Sequence, residues 1–445
     1  MKNFLLGLLL IFISQTAING ITAQQSGVLF TNVDVFDGEN HTLHENRNVL
    51  VVGNKIHTIS AGSISIPDDV TVTEIDGTGR TLMPGLIDAH AHASLMSMPM
   101  MGAMTADPGY IHITNAVQAE KTLMRGFTTL RDASGPVFGL KRAIDEGLIP
   151  GPRIYPAGAM ISQTAGHGDF RMPHEVPRTA MTPLSHTETM GVSAIADGVD
   201  EVMRRAREQL MLGASHIKLA GGGGVSSVYD PLDAVQYTYE EIKAAVQAAE
   251  NWGTYVMIHA YTPQAVQTAI KAGVKSIEHG QLLDEETVIM MAENDVWWSL
   301  QPFLDDEYAN PKTGESRVKQ LMVSEGTERA FELAKKHDVN VAWGTDMLFN
   351  PAGNRNQGAQ LAKLTQFFTP AELLVMATSN NAQILKLSGE RNPYPGDLGV
   401  VKEGALADLI LVLGNPLEDI NLIRDPDTNF VVIMKNGRVY KNLVE

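Results

Sequence analysis

Hydrophobic positions along the chain fall into two textures. Between residues 27 and 80 they come in short runs, GVLFTNVDVFDG, NVLVVGNKIHTI and DVTVTEIDG, rich in Val, Ile and Thr and separated by Gly and Asn turns. That alternation predicts strands. The same texture returns between residues 407 and 442 in ADLILVL and FVVIMKNGRVYKN, where Asn436-Gly437 signals a two-residue hairpin. Two β-rich ends predict one small β-sandwich domain built from both termini, residues 24–80 and 393–445. The middle, residues 81–392, repeats a different unit: a short apolar run followed by a helical stretch. The runs are TLMPGLIDAH, GFTTLRD, RIYPAG, ASHIKLAG, TYVMIHAY, VKSIEHG, VWWSLQP and VNVAWGTD, with stretches such as DGVDEVMRRAREQLMLG and YEEIKAAVQAAENWG between them. Eight alternations predict an α/β fold of the (β/α)8 TIM-like barrel type. A doubly wound open sheet is the alternative, but it usually has fewer strands and often a Gly-rich phosphate turn after the first.

The extreme N-terminus stands apart. MKNFLLGLLLIFISQTAINGITAQQSG has one Lys, an apolar stretch from Phe4 to about Ile13, then small and polar residues. The stretch is short for a bilayer span and fits a signal peptide over residues 1–23, cleaved after Ala23. An uncleaved anchor is the competing reading. The expected product is exported, periplasmic or extracellular, without stable membrane insertion after cleavage. The net charge of −17 and the lack of a Lys/Arg cluster exclude a nucleic-acid partner. The chain has no cysteine, which removes disulfides, thiolate metal sites and cysteine nucleophiles. Any metal must be held by His, Asp, Glu or a modified Lys.

Barrel enzymes place their chemistry at the C-terminal ends of the strands. Here His90 and His92 close the first strand, Lys218 the fourth, His259 the fifth, His279 the sixth and Asp346 the eighth. Residues two apart on a strand share a face, so Asp88, His90 and His92 are expected to point the same way. A single strand-end His is more often structural than a ligand, Asp346 could be a helix N-cap, and Lys218 could snorkel. Six such residues converging on one rim is a different matter. Gathering them away from water costs free energy unless something pairs them, and a divalent cation does so. The sulfur-free donor set suits Zn²⁺ as the default, and also Mn²⁺, Co²⁺ or Fe²⁺.

Taken together, MPGLIDAHAHASL, SHIKLAGG, VMIHAY, SIEHG, GTDM and the tail LGVVKEGALADLILVLGNPL resemble the amidohydrolase superfamily of metal-dependent hydrolases. The resemblance spans nearly the whole chain after the N-terminal stretch. It is strongest to imidazolonepropionase-like members, which include Xaa-Pro dipeptidases and ochratoxin-type amide hydrolases. It implies two divalent metal ions. His90 and His92 would hold the more buried one with Asp346, and His259 and His279 the second. Lys218 would bridge both as a CO2-derived carbamate. A lysine ammonium would repel two cations, whereas a carbamate offers an anionic pair of oxygens. The implied reaction is cleavage of an amide bond, in a dipeptide, an Xaa-Pro-like compound or an N-acyl amino acid, by a metal-activated hydroxide, with Asp346 carrying the proton. Tyr261 is a candidate oxyanion donor or a packed rim residue. His167, in TAGHGDFR, and Arg171 are candidates for a substrate carbonyl or carboxylate. AGGGGVSS lacks the Lys-Ser/Thr ending of a phosphate loop and is read as a loop closing over substrate. Arg131-Asp132 is read as an ion pair, and LMSMPMMGAM mainly as packing.

Other functions share this barrel. A lactonase or organophosphate hydrolase also fits a bridged metal pair. A heterocyclic deaminase or ring-opening hydrolase usually has one metal and no bridging lysine. A catalytically inactive binding protein would be expected to have lost ligands, and all six are present here. The expected partner is a small-molecule or peptide-like substrate; a homo-oligomer is left open.

Overall fold

The computed structural model describes residues 25–179, 181–227 and 229–444. The stretch read as a signal peptide, residues 1–23, lies outside the described residues. No helix among the described residues is long and apolar enough to cross a membrane.

Both ends of the chain build one small β domain of eight strands. Gln25–Val35 pairs antiparallel with His44–Val52 and parallel with Val70–Asp76 and Arg80–Pro84. Arg80–Pro84 pairs in turn with Leu409–Leu413, so the C-terminal strands join the N-terminal ones through it. The sandwich expected from both termini is present as one hydrogen-bonded path whose halves share a core of Val28, Phe30, Val49, Leu82, Leu411 and Met434. In the first strand the buried set changes phase, from Val28 and Phe30 to Val33 and Val35. Asn32 supplies the extra residue, with φ of 54° and a register slip beside it. At the other end Asn436 and Gly437, with φ of 53° and 74°, turn Phe430–Lys435 into Arg438–Asn442. Two successive left-handed residues match the twist of a hairpin, which is why Asn-Gly signalled it.

The middle of the chain is the barrel. Its strands are Leu86–Ala91, Phe127–Asp132, Arg153–Pro156 continuing as Met160–Ser162, Ile217–Ala220, Val256–Ala260, Ser276–His279, Trp297–Leu300 and Val341–Trp343. Neighbouring strands pair in parallel. Helices between them turn one apolar stripe inward. On Tyr239–Glu250 that stripe is Ile242, Ala245, Val246 and Ala249, the i, i+3, i+4, i+7 spacing of one helix face. Thr238 and Glu241 form a reciprocal capping box at its start. The run TLMPGLIDAH, which reads as one strand, is two. It divides at Gly85, where a Cβ would lie 2.2 Å from Thr128 Oγ1, so only glycine lets the chain leave the small sheet this close to the barrel. The third strand is also interrupted. Arg153–Pro156 pairs with the second strand and Met160–Ser162 with the fourth.

Between the eighth strand and the first, side chains replace a full ladder. Asn381 Nδ2 donates to Ile87 O and to Trp343 O, both at 2.7 Å, and Trp343 N donates to Asn381 Oδ1 at 3.0 Å. Above this clasp Asp346 N donates to His90 O at 2.8 Å. Asn381→Ala would strand three buried backbone groups at the seam. A loss of about 2–4 kcal/mol in unfolding free energy is expected, measurable by urea denaturation monitored by circular dichroism.

Candidate active site

His90, His92, Lys218, His259, His279 and Asp346 all line one cavity at the C-terminal ends of the strands, together with Tyr261 and His167. His90 and His279 have ring centroids 4.9 Å apart, and His259 and His279 4.5 Å. One ligand atom from each of His90, His279 and Asp346 lies within 4.8 Å of the others. Asp346 Oδ1 is 2.9 Å from His92 Nε2 and 3.4 Å from His90 Nε2. His167 stacks on His259 at 4.0 Å and 16°, and its Nδ1 is 2.7 Å from Ser227 Oγ. Gly224 makes room for that ring, since a Cβ there would overlap His167 Nδ1. Val225 and Ser226 of the same glycine-rich loop line the cavity. Tyr261 lies over His279 at 5.1 Å, and its hydroxyl has no hydrogen-bond partner among the described residues.

Each strand-end histidine is held through one ring nitrogen. His90 Nδ1 donates to Glu278 Oε2 at 2.6 Å. His279 Nδ1 donates to Gln301 Oε1 at 2.7 Å, and that amide is oriented by its own donation to Ser299 O. His259 Nε2 donates to Gly223 O at 3.0 Å. His92 Nδ1 faces Ser134 O and Oγ at 3.4 and 3.2 Å. A neutral imidazole has one N–H and one lone pair. With those N–H groups committed, Nε2 of His90 and His279 and Nδ1 of His259 keep the lone pair, while His92 Nε2 lies within hydrogen-bond distance of Asp346 Oδ1. Burial pushes the His90 pKa down to about 3, so its free Nε2 is a lone pair facing the Asp346 carboxylate. Two electron-rich atoms opposed in this way repel unless a cation lies between them. The donor set therefore fits divalent metal.

Two of these residues have left-handed backbone, rare outside glycine: His279 at φ of 78° and Asp346 at 51°. Strain of this kind collects at functional sites. It also explains a residue that strand alternation hides. Ser276 and Glu278 share a face and both meet Arg131, while His279 should face away. The left-handed turn brings its ring into the cavity as well. Glu278 thus joins His90 to Arg131, whose Nη2 is 2.9 Å from both carboxylate oxygens.

Three expectations are corrected. Arg131 pairs with Glu278 across the barrel rather than with Asp132. Arg171 is not among the lining residues; its guanidinium is taken by Asp169, with Nε 2.8 Å from Oδ1. Asp88 does not share the face of His90 and His92. Register shifts along the first strand, and Asp88 accepts from Thr345 N, Thr345 Oγ1 and Gln357 Nε2 instead, bracing strand eight.

Burial dominates the electrostatics. Lys218 is pushed down to about 8 by desolvation, and among the described residues no carboxylate oxygen comes within 4.0 Å of its Nζ. Burial opposes the charge on Asp346, but His90, His92 and His279 outweigh it and hold the carboxyl well below its usual range. Burial, then the neighbouring His167 and His279, keep His259 far below a normal imidazole. His167 and His279 fall to about 4 and His216 to about 3, each chiefly through burial. These histidines take up protons near 6.5 in the unfolded chain. Between those values the unfolded state binds more protons, so stability falls as pH drops through the window. The metal-free protein should therefore lose stability steadily as pH falls below 6.5. Denaturant midpoints measured from pH 8 to pH 4 would check this.

Comparison with known proteins agrees with the geometry. Residues 81–444 match the amidohydrolase family model. The ochratoxinase of Aspergillus niger is 32% identical over 404 residues, spanning 88% of this chain and 82% of that protein. A crystal structure of a prolidase complexed with N-methylphosphonate-L-proline superimposes with a TM-score of 0.84 at 32% identity, covering 94% of this chain and 100% of that one. A Xaa-Pro dipeptidase with methionine bound in its active site gives 0.80 at 29%, with the same coverage. The chain belongs to the amidohydrolase family, a hydrolase of carbon–nitrogen bonds built on a TIM-type barrel with an attached β domain.

Proposed function

We propose that this enzyme is an exported, binuclear-metal hydrolase of an amide bond in a small peptide-like substrate, a dipeptide of the Xaa-Pro type or an N-acyl amino acid. One observation carries the metal reading: three buried imidazoles, His90, His259 and His279, each commit one nitrogen to a neighbouring acceptor and leave the other for the cavity that His92, Asp346 and Lys218 share. The relatives' names, ochratoxinase, prolidase and Xaa-Pro dipeptidase, support the bond type. Export rests on the N-terminal sequence.

His90, His92 and Asp346 would hold one cation and His259 and His279 the other. Lys218, as a carbamate, would join them. Its buried side chain has no counter-ion of its own among the described residues, and a pKa lowered to about 8 leaves some neutral amine near neutrality. When bound, such cations polarise a carbonyl and make water acidic enough to supply a nucleophile. Zn²⁺ is the first choice for this donor set.

Asp346 accepts the proton of the attacking water on its carboxylate and passes it to the leaving nitrogen. The Tyr261 hydroxyl, which burial keeps protonated, donates to the carbonyl oxygen as negative charge develops there. His167, fixed through Nδ1 by Ser227, presents its other nitrogen to substrate. The glycine-rich loop and the segments after strands seven and eight shield the reaction from bulk water.

Metal analysis of the purified protein should give two equivalents per chain, and Lys218→Ala fewer than two. Asp346→Asn should keep the fold by circular dichroism and lower kcat on a hydrolysed dipeptide by about 10²–10⁴-fold. One equivalent in the wild type, or full activity in Asp346→Asn, would contradict the reading.

A further inference from the structure

Beyond Lys218, two lysines line the cavity. Lys363 has its own counter-ion, with Nζ 3.1 Å from Asp306 Oδ2. Lys312 has none. Among the described residues no carboxylate oxygen lies within 4.0 Å of its Nζ and no acceptor is hydrogen-bonded to it. The backbone beneath it is fixed all the same. Lys312 N donates to Gln320 Oε1 at 2.9 Å, and Gln320 Nε2 donates to Asn310 O at 3.0 Å. Arg317 Nη1 donates to the same Oε1 at 2.9 Å. The segment leaving the seventh strand is thereby tied to the helix Gly314–Lys336 that follows it. Such an ammonium, on an anchored backbone and half withdrawn from water, is free to pair with an anion that enters the cavity.

The surroundings say what the other half is. The lining includes Leu304, Phe303, Leu348 and Phe349, an apolar wall suited to a hydrophobic side chain. Lys312 and Asp346 line the same cavity, so an anion held by Lys312 would stand beside the reacting centre rather than on it. The protein as a whole is strongly negative, with a net charge of −17. An anionic group entering this cavity therefore needs a local cation. Arg171, which the sequence offered for that part, is paired with Asp169.

We propose that Lys312 is a specificity-determining residue that binds the free carboxylate of the substrate's C-terminal residue, so that the enzyme selects acids over the corresponding amides or esters. This deepens the amide-hydrolase reading above and rests on it for the identity of the substrate. The contact is a charge-assisted hydrogen bond from Nζ to a carboxylate oxygen. It holds one end of the scissile unit while Asp346 and Tyr261 act at the other.

The test compares N-acetyl-L-phenylalanine with its carboxamide, by isothermal titration calorimetry on metal-loaded wild type, Lys312→Met and Lys312→Arg. The wild type should bind the acid about tenfold or more tightly than the amide. Lys312→Met should lose that preference with the amide affinity unchanged, and Lys312→Arg should keep most of it. Thermal melts and metal content should be the same in all three proteins. For any hydrolysed N-acyl amino acid, Lys312→Met should raise KM with little change in kcat. A wild type that does not favour the acid, or a Lys312→Met variant that still does, overturns the proposal. Turnover of an amide panel by the wild type reports separately on the parent reading. If acid preference through Lys312 is found and no amide is cleaved, the carboxylate site stands and the amide reading falls.

Discussion

The centre of this molecule is organised by where three imidazole protons point. Each N–H is donated away from the cavity, from His90 to Glu278, from His279 to Gln301 and from His259 to Gly223 O. The lone pairs are thereby turned inward, next to an ionised Asp346. This arrangement is unfavourable by itself, because burial removes the water that would solvate those lone pairs and the carboxylate. It becomes favourable when cations supply the missing charge. The tautomers are set by Glu278, Gln301 and Gly223, none of which is among the residues lining the cavity.

The fold provides those residues because a parallel barrel brings distant segments to one rim. Glu278 and Arg131 come from the sixth and second strands, and the pair crosses the interior beneath His90. Arg131 also donates to Ala89 O, Tyr255 Oη and Ser276 Oγ, so its buried charge is fully solvated by protein. Removing either partner would leave an uncompensated ion, which is costlier than never having had the pair. Asp88 does comparable work at the seam, where it ties Thr345 to the first strand just before Asp346. The frame so formed holds His279 and Asp346 in left-handed backbone conformations that non-glycine residues rarely adopt.

Much of this was legible in the sequence where a local rule governs. Asn436-Gly437 needs two left-handed residues, and few other pairs supply them. His90 and His92 at alternate positions, with Lys218, His259, His279 and Asp346 at later strand ends, are brought to one cavity as the alternation of strands and helices predicts. What escaped was decided by local breaks in periodicity. Glu278 is hidden in the sequence because alternation allows only one of two adjacent residues to face inward, and the positive φ of His279 lets both do so. Asp88 was placed with the histidines because the register shift in its strand leaves no mark in residue type. Arg171 was offered for a carboxylate without regard to Asp169, two positions away, which captures it. Lys312 carries no pattern in the sequence; what singles it out is that its ammonium has no partner among the described residues while it lines a cavity.

The proposed chemistry depends on paired cations between those inward-facing nitrogens. The most direct measurement is a crystal structure of the protein grown with Zn²⁺, with anomalous scattering collected above and below the zinc edge. Two anomalous peaks are predicted in the cavity, one against His90, His92 and Asp346 and one against His259 and His279, with carbamate density on Lys218 between them. A single peak, or none, with unmodified Lys218 turned away from the histidines, would contradict it.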